Sequence, residues 1–174
     1  MLSNEDIQNI CVAMPNLKSF VINQAESSIR DDSIYTICQS LVHLEELDLI
    51  NTSITDQAVI FICSCQHMSF KLKRLNLSMS SQISNSCLPL ITDCLTCLES
   101  LYLTSCFGIS NLEYFVNLKH LTYLNINNTS IDKQRIKDYL LPLLPNCEIE
   151  HGHEKMLNKK LMWTINGSRN SLCV

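Results

Sequence analysis

A parallel α/β repeat fold is what this sequence predicts, on three observations. The first is a frame that is apolar at its first, fourth and sixth places. It appears as Leu17-Phe20-Ile22, Leu44-Leu47-Leu49, Leu72-Leu75-Leu77, Leu98-Leu101-Leu103 and Leu121-Leu124-Ile126. The second is the spacing of its starts, 27, 28, 26 and 23 residues apart, inside the roughly 20–29-residue period of units that pair one strand with one helix. The third is a register beyond the frame. Small or hydrogen-bonding residues stand eight places on, at Ala25, Thr52, Ser80, Cys106 and Thr129, and isoleucines follow at Ile54, Ile83, Ile109 and Ile131, with Ile29 one place late in the first unit. A three-step followed by a two-step is the mark of a turn running into a short strand. The fold class is therefore a leucine-rich repeat solenoid: a right-handed βα superhelix, parallel strands on its concave face and helices on its convex face.

The elements follow in order. Residues 1–150 form the repeat domain, beginning with the back half of a repeat in which Ser3 or Asn4 caps a helix. That helix turns Ile7, Ile10, Cys11 and Met14 to one side, and Pro15 marks its end. The first full repeat places a helix over Asp32–Leu41, with Ile34, Ile37, Cys38 and Leu41 inward. In the second, Thr55 or Asp56 caps a helix backed by Ala58, Val59, Phe61 and Ile62. The third helix opens at Ser84 to Ser86, and Pro89 is tolerated early in it, where a missing N–H costs little. The fourth repeat is short on its helical side, with Leu112, Phe115 and Val116. In the fifth, Asp132 caps a helix ending at Leu140-Leu141-Pro142, and Cys147-Glu148-Ile149 reads as a last abbreviated strand. The tail, 151–174, carries Leu161-Met162-Trp163 and packs on its own repeats or on a partner.

A chain opening inside a repeat leaves its first strand uncovered on one side, and the expectation is a fragment, a shortened isoform or an unusual homologue. Composition sets further bounds. With 46% hydrophobic and 17% charged residues in 174 the chain is globular, and a net charge of −4 gives no general attraction to nucleic acid. The first residues carry no secretory signal, and no apolar run approaches the roughly 20 residues that would cross a bilayer. The expected location is cytoplasmic or nuclear, with the cysteines reduced.

Strand periodicity sorts the faces. The second, fourth and sixth places after each frame start point away from the core. Candidate protein-binding residues on that face are Glu46, Asp48, Arg74, Asn76, Tyr102, Tyr123 and Asn125. Concave repeat faces are common binding surfaces, and tyrosine and arginine are enriched among interface hot spots.

No constellation carries catalysis, and no cofactor or metal is expected. Cys94-Leu95-Thr96-Cys97 has redox or zinc spacing but no second pair, and Cys63-Ser64-Cys65 is too tight for a zinc knuckle. Cys147, His151, His153 and Glu154 mix suitable ligands, yet they follow a strand that sends alternate residues to opposite faces. His43 and His120 share the place before a frame leucine, which is a structural position. No serine stands in a nucleophile elbow.

Leu98-Glu-Ser-Leu-Tyr-Leu-Thr-Ser-Cys-Phe-Gly-Ile109 and the run Leu121–Ile149, with its short strand, helix, Leu-Pro and final strand, resemble the cysteine-containing leucine-rich repeats of F-box proteins. Asn158-Lys159-Lys160 followed by Trp163 is similar to the tail beyond their last repeat. Those proteins are substrate receptors of cullin-type (SCF) ubiquitin ligases. The resemblance implies a protein substrate as partner, a tail folded back along the concave face with Trp163 across the strands, and a role in proteasomal degradation. It also implies docking to a Skp1–cullin complex through an F-box, which this chain lacks. Leu140-Leu141-Pro142-Leu143-Leu144 is similar to an F-box opening, but it closes the fifth repeat. A free-standing repeat scaffold or inhibitor without a ubiquitin role is the alternative.

Overall fold

The computed structural model describes residues 2–23, 29–152 and 154–157. Ala25, His153 and the tail from Asn158 onward, Trp163 included, lie outside the described residues. Strands and helices alternate as α1 (Asn4–Ala13), β1 (Ser19–Asn23), α2 (Asp31–Ser40), β2 (Glu46–Ile50), α3 (Asp56–Ser64), α4 (Gln66–Lys71), β3 (Arg74–Asn76), α5 (Leu88–Cys94), β4 (Ser100–Tyr102) and β5 (Tyr123–Asn125). After them come α6 (Lys133–Arg135), α7 (Leu141–Leu143), β6 (Glu148–His151) and β7 (Glu154–Met156). The seven strands form one sheet in chain order, parallel from β1 to β6. The α/β class and the parallel sheet agree with the sequence, and the stacking is of the leucine-rich-repeat kind.

The frame residues explain the stacking. Leu47, Leu75, Leu101 and Leu124 lie opposite one another across β2 to β5, and all are fully buried. Ile54, Ile83 and Ile109 close the same core from the loop side. Thr52 and Ser80, eight places into their repeats, share a hydrogen bond of 3.2 Å beneath that loop. The backbone enters the loop through a left-handed residue at a constant place. Asn51, Met79, Ser105 and Asn128, each seven residues after a frame start, have φ of 56°, 63°, 58° and 55°.

Caps tie successive units together. Ser3 and Asp6 form a capping box on α1. Asp31, first in α2, accepts hydrogen bonds from the backbone N–H and hydroxyl of Thr55, the cap of α3, both at 2.9 Å. Asp56, first in α3, does the same for Ser84 at 2.8 and 2.5 Å. Asn85 repeats the pattern on Ser110 N–H at 2.9 Å.

The helical layer varies with repeat length. The longest interval accommodates α4, a second short helix that the sequence did not announce. A 3₁₀ turn, Asn85–Cys87, leads into α5 with Pro89 in its first turn. The shortest interval holds only a 3₁₀ segment, Glu113–Asn117, which spans more length per residue than an α-helix. A π turn over Ile136–Leu140 joins α6 to α7. Two expected inward residues sit otherwise. Met14 is exposed at the C-cap of α1, and Phe61 is half-buried, its ring centroid 5.2 Å from that of Tyr35 in an edge-to-face pair.

The chain's last frame is one residue short. The Cys147 N–H donates to the Leu144 carbonyl, as Leu44 does to Leu41 and Leu98 to Leu95. Ile149, only two places on, then occupies the site opposite Leu124. Beyond it β7 returns antiparallel to β6, through Gly152 at φ 60°. The division placed at residue 150 falls inside this hairpin, so the sheet extends into the segment read as tail.

Candidate functional site

Two rows of side chains stand on the outward face of the sheet. Ser19, Glu46, Arg74, Ser100, Tyr123 and Glu148 are in register in one, and Val21, Asp48, Asn76, Tyr102, Asn125 and Glu150 in the other. Adjacent strands lie about 4.8 Å apart, so a long side chain in one row reaches the other row on both neighbouring strands.

Arg74 does so in both directions. Its Nε and Nη2 donate to the two Asp48 carboxylate oxygens at 3.0 Å each, and its Nη1 donates to the Tyr102 hydroxyl at 2.8 Å. The guanidinium carbon stands 4.3 Å from the Tyr102 ring centroid, a cation–π distance. Hydrogen bonding to Asp48 raises the Arg74 pKa further. Tyr102 and Tyr123 meet with centroids 5.0 Å apart and planes tilted by 39°, within the favourable range for aromatic pairs. Asn125 donates to Tyr123 Oη at 3.3 Å and to Glu150 at 2.7 Å, and accepts from the Thr104 hydroxyl at 2.7 Å. Burial, with the Glu150 carboxylate beside it, pushes the Tyr123 phenol up to about 12. Lys155, on β7, closes the chain on Glu148 at 2.6 Å and Glu150 at 3.5 Å.

Of the residues singled out from the sequence, Asp48, Arg74, Tyr102, Tyr123 and Asn125 thus belong to one connected constellation. Asp48 and Asn76 correct the expectation of an open face. They point outward yet are only 5% and 4% exposed. Arg74 takes up the Asp48 carboxylate, while Asn76 turns its side-chain oxygen onto the Ser78 N–H at 3.0 Å. Glu46 stands apart and accepts from the Ser19 hydroxyl at 2.9 Å. Glu148, Glu150 and Lys155 complete the surface and were missed. The one-residue shortening of the last frame hides the first two, and the third arrives on an antiparallel strand that no repeat forecasts.

Cys38, Cys63, Cys87 and Cys147 have thiol pKa values raised by burial, and all four are free thiols. Cys94 and Cys97 are half-buried at the end of α5 and before β4. Among the described residues no cluster of three or more His, Cys, Asp or Glu side chains could hold a metal ion, and no helix is long and apolar enough to cross a membrane. His43 and His120 line two shallow pockets of about 330 and 410 Å³ on either side of exposed Phe70, at the rim where the strands start.

No protein-family model matches the chain, and no curated protein sequence does either. Among solved structures the chain is similar to an internalin C2 from Listeria monocytogenes, with 12% identity over 83% of each chain and a TM-score of 0.32. A likeness that loose carries no argument about fold or function.

Proposed function

We propose that this protein is a protein-interaction module whose partner docks on the outward face of the sheet, and that the stack curves as a right-handed solenoid with that face concave. The observation that supports this reading is the Asp48–Arg74–Tyr102–Tyr123 constellation. Its charge is compensated and its rings are held before a partner arrives, which lowers the ordering cost of binding. Tyrosine and arginine are also the residues that most often dominate interface energies. Affinity purification of the wild type beside Tyr102→Ala and Tyr123→Ala tests it. Partners that follow both variants undiminished would remove the face from consideration.

The finer reading is the substrate-recognition part of a cullin-type (SCF) ubiquitin ligase that directs targets to proteasomal degradation. It rests on the resemblance of Leu98–Ile109 and Leu121–Ile149 to F-box repeats. In that role the module holds a target close to the ligase and transfers nothing itself, in cytoplasm or nucleus. Co-purification of Skp1 and cullin with the longest transcript's product is the expected outcome. Their absence leaves the free-standing scaffold or inhibitor.

A further inference from the structure

The charges on the outward face do not balance. Four carboxylates stand in its two rows, Glu46 and Asp48 on β2 and Glu148 and Glu150 on β6. The cations that meet them there are Arg74 and Lys155, and four less two leaves an excess of two negative charges. Arg74 is spent on Asp48, with Nη2 3.0 Å from Oδ2. Lys155 is shared by Glu148 at 2.6 Å and Glu150 at 3.5 Å. Glu46 takes an uncharged partner, the Ser19 hydroxyl at 2.9 Å.

The excess sits on both flanks of the aromatic pair. One charge is the exposed Glu46 on β2, and the other is the surplus carboxylate of half-buried Glu148 and Glu150 on β6. Tyr102 on β4 and Tyr123 on β5 lie between them, with ring centroids 5.0 Å apart. Four strand steps of about 4.8 Å separate the flanks, about 19 Å in all. Extended chain advances about 3.3 Å per residue, so a segment laid across the strands covers that distance in about six residues. On the way it passes over the two rings, which offer apolar area and carry no charge.

We propose that the outward face takes a basic, extended segment of a partner protein laid across the strands, with lysine or arginine at two places about six residues apart and an apolar side chain between them. The proposal rests on the reading of that face as the docking surface and names the chemistry of what docks there. One cation meets Glu46, the other meets Glu150 beside Glu148, and the apolar side chain lies on Tyr102 and Tyr123. Complementary charge of this kind selects partners and speeds their encounter, whereas like charges brought together are penalised. An acidic segment or a nucleic acid would add negative charge to a face already in excess. A second copy fits less well for the same reason, because the chain carries a net charge of −4.

The test titrates the full chain with the synthetic peptide Lys-Thr-Ser-Leu-Ser-Thr-Lys, capped at both ends, and follows backbone amide shifts by NMR. The expected result is saturable shifts at Asp48, Tyr102, Tyr123 and Glu150, none at Tyr35 on α2, and a Kd below about 1 mM. Binding should weaken about threefold or more when salt rises from about 50 to about 300 mM. Glu46→Gln and Glu150→Gln, the second of which keeps an acceptor for Asn125, should each weaken it by about threefold or more. No shifts at about 1 mM peptide, equal binding by Glu-Thr-Ser-Leu-Ser-Thr-Glu, or unchanged affinity in both variants overturns the proposal. So does binding that appears only when Lys159 and Lys160 are both changed to glutamine, since the chain's own tail would then hold the face. Protein partners lost with Tyr102→Ala and Tyr123→Ala but kept by the double variant Glu46→Gln and Glu150→Gln would leave the docking face standing and remove its charge preference alone. Partners kept by all of these variants would remove both.

Discussion

Arg74 has three of its five N–H directions committed within the molecule, two to Asp48 and one to Tyr102. What it offers a partner is therefore the rim of a neutralised pair rather than a loose charge. Tyr102 and Tyr123 supply the accessible apolar area beside it. Replacing either tyrosine by alanine should cost no more than about 1.5 kcal/mol in chemical denaturation, since it removes an aromatic pair but no core side chain. The same variants should weaken partner binding by about tenfold or more. Leu101→Ala, at a fully buried site, should instead cost about 2–5 kcal/mol in the same assay. Gly108 is a second demanding position. A Cβ there would stand 2.5 Å from the Ile83 carbonyl oxygen, so Gly108→Ala should destabilise by about 1–3 kcal/mol through a forced backbone shift. Met79 runs the other way. It is 52% exposed and held at φ 63°, so Met79→Gly should stabilise by about 1 kcal/mol, seen as a higher melting temperature, by relieving a left-handed conformation.

Between elements, polar contacts recur with the same period as the leucines. The Asp31–Thr55 and Asp56–Ser84 links join the start of one helix to the cap of the next, so α3 and the Asn85–Cys87 turn are each tied to the preceding repeat as well as capped by Thr55 and Ser84. At the opposite rim, Glu45 bridges Lys73 at 2.8 Å and Lys18 at 3.0 Å. Those two ammonium groups hold its carboxyl down to about 2 from an ordinary 4.5. A depressed carboxyl contributes stability that is complete above its unfolded value and is lost as pH falls toward its folded one. Unfolding measured between about pH 4.5 and 2 should therefore show a shallower loss of stability in Glu45→Gln than in the wild type. Both lysines stand in solvent and the carboxyl is partly exposed, so added salt should shrink the difference. The variable helical layer was only partly legible. Caps at Ser3, Thr55, Ser84 and Asp132 could be read from residue type, whereas α4 and the π turn before Pro142 depend on how much chain each interval must fold away.

Across the whole molecule, each unit rests on the one before it, so one sheet runs from the uncharged edge of β1 to the charged hairpin at β7. The frame leucines, the inward isoleucines and the outward rows from β1 to β5 were legible in the sequence. They follow from two local rules: alternate residues of a strand face opposite ways, and apolar residues at a fixed spacing must share one core. What only the tertiary structure decided is how residues one repeat apart meet. Arg74 covering Asp48 and stacking on Tyr102, and Asn125 reaching Thr104 on one side and Glu150 on the other, are all relations between neighbouring repeats. Such residues lie more than twenty places apart in the chain, yet about 5 Å apart across the sheet. Linear spacing says which face a side chain takes. Only the register, with its one-residue loss before Ile149 and its antiparallel return at β7, says which neighbour it finds there.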